Sequence, residues 1–214
     1  MRGTIPLMFV VLSTVALAAC GTPPDSDEPL SAAALRDALP AADGLPGYTA
    51  KAQSLPLLEK QDVVTVDKPA CRPIADMMSV RPKYPRQALV WATLEDKDTS
   101  VEGSLALSSL ARDGADAWMR DLKAARTQCT EFTATSERGW ASPFTVEPLP
   151  PAKAGDDSVA YVLTNTRAPG ARGNSITVVR TGGTLATYLL TGEPRTVPAP
   201  AAGKQHEALR QASR

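Results

Sequence analysis

The N-terminal segment does most to decide what the rest of this chain can become. Arg2 makes a small basic start, an apolar run extends from Ile5 to Ala16, and the chain then reads Leu17-Ala18-Ala19-Cys20-Gly21. That is the pattern of a lipobox. The run is too short and too weakly flanked for a membrane helix kept in the mature protein, so residues 1–19 read as a signal segment. Small Ala18 and Ala19 suit a peptidase that cuts between Ala19 and Cys20, after the Cys20 thiol has been alkylated with a diacylglycerol. The alternative is an ordinary cysteine just past a secretory cleavage site. Each buried acyl methylene contributes roughly 0.8 kcal/mol, and two chains suffice for stable anchoring. The expected location is therefore the extracellular face of the cell membrane, with Cys20 as the lipidated residue.

Export sets the chemistry of the remaining cysteines. Of three in the chain, Cys71 and Cys129 lie beyond the signal segment. Outside the cytoplasm such a pair is most simply a disulfide. It would close a loop of about 58 residues, stabilising by on the order of 4 kcal/mol in the chain-entropy model. Two free thiols or half a metal site is the competing reading, poorly supported where His206 is the one histidine.

Removing residues 1–19 takes one arginine and no acid from 23 basic and 23 acidic residues, leaving 22 and 23. A near-neutral chain without a clustered basic stripe lacks the footprint of a nucleic-acid binder. The roughly 195 residues left after cleavage are enough for one domain with a sizeable core. The expected layout is a signal peptide over 1–19, a lipidated tether with a short helix over 20–46, and an extracellular domain over 47–214.

Gly21 to Pro29 is polar and proline-rich, a tether by composition. A short helix follows, with Ser31 as its N-cap, Leu35, Ala38 and Leu39 on one face, and an end before Pro40. Strand character marks Tyr48 to Gln53, Gln87 to Leu94 and Ser100 to Leu107, the last two separated by Glu95-Asp96-Lys97-Asp98 as a solvated loop. Pro69 to Met78 reads as a helix with Pro69 in its first turn. From Asp113 to Thr127, Ala115, Trp118, Met119, Leu122 and Ala125 form one apolar stripe, with Asp113 placed to cap it. Strands follow at Glu131–Thr135, Phe144–Glu147, Ser158–Thr166, Ser175–Arg180 and Thr184–Leu190. Gly182-Gly183 between the last two offers the positive φ values of a tight hairpin. Lys204 to Ala212 closes the chain as a short helix. The pattern is α+β, a central antiparallel sheet with helices packed on one face and one disulfide.

No catalytic set stands out. His206 sits in a polar terminal helix and no Gly-x-Ser-x-Gly elbow precedes a helix, so serine-type catalysis lacks its partners. Asp156 and Asp157 are the most suggestive acids, although turn chemistry alone would choose them before the Ser158 strand. Metal ligands have no proper spacing, no phosphate loop is present, and neither cofactor nor metal is expected. Exposure logic picks Trp91, Trp140, Arg167 and Arg180 as candidate ligand-binding residues.

The assembled pattern resembles the extracellular sensor domain of the mycobacterial Ser/Thr kinase PknH and stand-alone actinobacterial lipoproteins related to it. The matching residues are Leu39-Pro40-x-x-x-Gly44, Cys71 through Pro73, the helix ending at Cys129, the run Leu149-Pro150-x-x-x-x-Gly155-Asp156-Asp157-Ser158-Val159-Ala160-Tyr161, and Val178-Val179-Arg180-x-Gly182-Gly183-Thr184. The resemblance implies an α+β domain with a central antiparallel sheet, a disulfide joining helices, and a groove for an extracellular ligand. Kinase-linked members typically carry a second disulfide, for which this chain has no cysteines. It also lacks kinase and transmembrane segments, so a signalling output does not carry over.

These readings converge on a non-enzymatic, membrane-anchored module of sensor type whose partners are the membrane and an unidentified small-molecule or envelope ligand. An envelope hydrolase using its acids, or a purely structural lipoprotein, are the alternatives. Cys20→Ser should abolish labelling of the protein by radioactive palmitate and leave the signal segment attached; a cleaved, membrane-retained variant would rule out the acyl anchor.

Overall fold

Central strands with apolar residues on both sides dictate the architecture. The computed structural model describes residues 28–60, 62–99, 101–167, 173–192 and 195–214. The signal segment with Ala19 and Cys20, and the tether as far as Asp27, lie outside them. Nine strands form one antiparallel sheet in the order β1-β3-β4-β9-β8-β7-β6-β5-β2. They are β1 (Tyr48–Gln53), β2 (Val64–Val66), β3 (Ala88–Asp96), β4 (Glu102–Ser109), β5 (Glu131–Ser136), β6 (Ala141–Leu149), β7 (Asp157–Asn165), β8 (Asn174–Thr181) and β9 (Thr184–Thr191). The helices are α1 (Ala32–Asp37), α2 (Arg72–Ala75), α3 (Arg112–Gln128) and α4 (Ala199–Ala212).

The α+β class, the antiparallel sheet and the disulfide are as expected. The helices, expected on one face, divide between both. In β7, Val159 to Leu163 are buried without a break, and in β8 Ser175 to Val179 are. An unbroken buried run needs cover on each face of the sheet. Ile176 and Val178 join the core beneath α2 and α3, while their neighbour Val179 joins the core beneath α1 and α4. The polar positions obey the same alternation: Arg180 pairs with Asp116 of α3, and Thr181 meets His206 of α4 at 2.7 Å.

The two helical layers are offset along the sheet. Leu35 of α1 and Ala201, Ala202 and Leu209 of α4 pack with residues of β1, β3, β4 and β9. Trp118, Met119 and Leu122 of α3 pack with Val146, Val159, Tyr161 and Leu163 of β6 and β7. The short N-terminal helix, grouped with the tether in the sequence reading, is thus part of the folded body: Leu35 and Leu45 are fully buried. Ser31 caps α1 as expected, its Oγ accepting from Ala34 N–H at 3.2 Å. Gln205 of α4 donates to the buried Ala38 carbonyl at 2.9 Å, joining the two helices.

On the opposite face, the expected helix over Pro69 to Met78 is broken into a 3-10 turn, the single turn α2, and a second 3-10 turn, with Pro73 tolerated only because it falls in the first turn of α2. Cys71 and Cys129 are disulfide-bonded across a separation of 58 residues. The bond pins this segment to the end of α3, and Trp118 Nε1–H donates to the Pro73 carbonyl at 3.0 Å as a second tie. The Tyr161 hydroxyl donates to Leu122 O at 2.6 Å, fixing α3 over β7.

Three local expectations are corrected. Asp113 does not cap α3: the N-cap position is Ala111, and the Asp113 carboxylate accepts from Gly114 N–H at 2.8 Å inside the first turn. The chain turns earlier because Leu110 N–H is held by Gly183 O at 2.9 Å. In that hairpin only Gly182 has positive φ, +54°; Gly183 is required by space, since a Cβ there would meet Leu110 O at 2.8 Å. The acidic stretch is not a solvated loop throughout. β3 runs to Asp96, which is 9% exposed and paired with Arg195. Burial alone would raise the Asp96 carboxyl, but the Arg195 guanidinium and the N–H groups of Asp98 and Thr99 outweigh it and hold it below the usual carboxylate range.

Replacing both Cys71 and Cys129 by alanine should cost about 2–5 kcal/mol in guanidinium unfolding while the circular dichroism of the sheet persists. A group whose pKa falls on folding stabilises above its unfolded value and loses that contribution as acid is added. The stability gap between wild type and Asp96→Asn, followed by urea unfolding, should therefore be constant above about pH 5 and shrink below about pH 4.

Candidate functional site

The offset between the layers leaves part of the α3 face of the sheet without a helix over it. There β8, β9, β4 and β3 make a floor from Ile176, Val178, Leu185, Leu189, Ala106 and Leu89. Trp118 and Leu122 of α3, Met77 and Met78 of the last 3-10 turn, and Leu57 and Leu58 of the segment after β1 complete its lining. The groove has a volume of about 170 Å³. Ser104, Ser108 and Thr187 place hydroxyls among the apolar side chains. A concave, mainly apolar site with a few polar groups is the usual form of a small-molecule pocket.

Among the described residues Arg86 is the one charged side chain of the groove wall. Its Nη1 donates to Ser79 O at 2.7 Å and its Nη2 to Asp76 O at 3.0 Å and Met77 O at 3.3 Å, so it caps the carbonyls of the last 3-10 turn. The guanidinium carbon stands 5.1 Å from the centre of the Trp118 ring. Burial pushes the Arg86 pKa down, with the Asp76 charge partly restoring it, to about 10, so the group stays cationic at neutral pH. The buried Asp76 carboxylate is committed elsewhere: it pairs with Arg72 and accepts Lys83 N–H at 2.9 Å. Arg86 Nε is buried with no acceptor.

The four residues picked from sequence are not gathered in this groove. Trp91 comes nearest, two positions from Leu89 on β3, with its Nε1–H donating to Leu55 O at 2.7 Å. Trp140 lies in the turn between β5 and β6 and packs on the α3 core. Arg167 follows β7 at an exposed turn where its N–H donates to Asn165 Oδ1 at 3.0 Å. Arg180 is 17% exposed and bonds Asp116 at 2.9 Å and Asp156 at 3.5 Å, tying α3 to the β8–β9 hairpin. Arg86, Ala106 and the two methionines were missed, because nothing local in sequence marks them as neighbours.

The acids do not share one cleft. Asp156 accepts Gly182 N–H at 2.7 Å and lies in a depression of about 250 Å³ beside the hairpin turn. Asp157 pairs with Lys123 of α3 at 2.6 Å, accepts Ser158 N–H, and lines a different, open depression. Both carboxylates hold the turn into β7. Among the described residues no group of three or more His, Cys, Asp or Glu side chains is placed to hold a metal ion. No helix among them is long and apolar enough to cross a membrane.

No family model matches the chain, and no curated protein matches it in sequence. Among solved structures it is similar to the extracellular domain of PknH from Mycobacterium tuberculosis, with a TM-score of 0.47 and 13% identity over 78% of this chain and 81% of that one. The dispersed motifs in the sequence resemble the same domain.

Proposed function

We propose that this protein is a non-enzymatic binding module of sensor type, held at the extracellular face of the membrane by acyl chains on Cys20, and that it takes a small apolar ligand in the groove between α3 and β3. One observation carries the reading. Four strands, one flank of α3 and two adaptable methionines present apolar side chains to a single groove. Burying those side chains against a ligand releases water at roughly 25 cal/mol per Å² of apolar surface.

Catalysis finds less support. Among the described residues the groove wall holds an arginine and hydroxyls but no carboxylate, thiol or imidazole that would serve as base or nucleophile. A purely scaffolding role would call for a broad apolar surface patch. Among the described residues Leu55, at 72%, is the large hydrophobic side chain that stands exposed.

The test uses residues 20–214 carrying Cys20→Ser, exported behind an ordinary secretory leader so that no attached acyl chain competes. Incubated with cell-envelope extract and repurified, the protein should retain a discrete set of small molecules seen by mass spectrometry. Ala106→Phe, which fills the floor, should cut retention more than tenfold with circular dichroism unchanged. Equal retention by both proteins, or none by either, would overturn the assignment of the groove.

A further inference from the structure

We propose that the occupant of the groove is a single-chain anionic amphiphile, a fatty-acid carboxylate in its simplest form, with its alkyl chain on the β8-β9-β4-β3 floor and its head directed at Arg86. The inference rests on the groove being the ligand site and adds the chemical class of the ligand.

The distribution of charge is what selects this class. Among the groove residues Arg86 is the one that carries a charge, and it faces no carboxylate within ion-pairing distance among the described residues. Its donors are spent on neutral backbone carbonyls, and Nε has no acceptor. The one buried acid nearby, Asp76, is held by Arg72 and the Lys83 N–H. A cation largely removed from water is costly to keep when the one acid that acts on it, Asp76, is already paired with Arg72, and a bound anion relieves that cost most. A neutral lipid or an apolar peptide side chain would fill the floor and leave that demand unmet.

The remainder of the site suits an alkyl chain. Trp118 lies below the guanidinium, so the charged end of the ligand and the start of its tail meet one residue pair. Leu185 and Leu189 of β9 and Met77 line the same groove with apolar side chains. Leu57 and Leu58 add apolar surface to the groove, and Leu55 close by in sequence stands exposed to solvent. Met77 can adjust its rotamers to a flexible tail at little cost.

Calorimetric titration of the same Cys20→Ser protein with dodecanoate and with dodecanol, both below their aggregation limits, decides the matter. Dodecanoate should bind at least tenfold more tightly than dodecanol. Arg86→Gln should bring dodecanoate and dodecanol to equal affinity, and Arg86→Lys should restore part of the difference. If Arg86→Gln does not fold, the wild-type comparison of the two ligands still decides. Dodecanol binding as tightly as dodecanoate, or an apolar neutral peptide displacing dodecanoate from the protein, would overturn the inference. If neither amphiphile binds while the protein still takes a groove ligand from envelope extract that Ala106→Phe abolishes, this inference fails and the binding function stands. If the extract yields nothing either, both fail.

Discussion

Burial of the central strands on both faces is the constraint from which the other features follow. A nine-stranded antiparallel sheet in which β7 and β8 bury successive residues needs cover above and below. The chain supplies that cover with two small helical layers placed on opposite faces and toward opposite ends. α1 and α4 shield the β1-β3-β4-β9 half from one side, and α2 and α3 shield the β8-β7-β6-β5 half from the other. Neither layer is wide enough for the whole sheet. The outer strands β5 and β6 therefore turn exposed residues such as Glu131 and Glu147 to water on their unshielded face, as single-sided antiparallel strands do. At β3, β4 and β9 the uncovered surface remains apolar and becomes the groove.

Much of this was legible in sequence. The α3 stripe of Ala115, Trp118, Met119, Leu122 and Ala125 is buried as its spacing demands, and β1 spans the six residues expected of it. The pairing of Cys71 with Cys129 followed from compartment and number. What escaped notice depends on partners far away in sequence. β2 is three residues long and pairs with β5, Val64 opposite Ser136, so no periodicity could reveal it. The two-sided cover was signalled by the unbroken apolar runs of β7 and β8, which argue against a one-faced arrangement once their meaning for an antiparallel sheet is applied. Arg86 stands in sequence among prolines and other cations, and only the fold shows that it lies over Trp118 while Arg180 is bound to acids.

The disulfide and the groove are mechanically related. Cys129 ends α3 and Cys71 begins the segment that carries Met77, Met78 and the carbonyls bonded by Arg86. Two of the elements that line the groove are thus the two that the disulfide joins. Trp118 reinforces the link through Pro73. The disulfide and the Trp118 bond fix those two elements to each other, while Leu57 and Leu58 come from a connecting segment whose described residues form no helix or strand.

The borders of the sheet have a consequence of their own. At one border Ala50 N–H is bonded to Ala42 O at 2.8 Å and Lys51 stands exposed; at the other, β2 is brief and Val64 N–H is taken by Ser79 Oγ at 3.1 Å. Each border thus has one of its outward N–H groups already taken within the chain, and a second copy that tried to add a strand there would have to displace Ala42 or Ser79 to reach it.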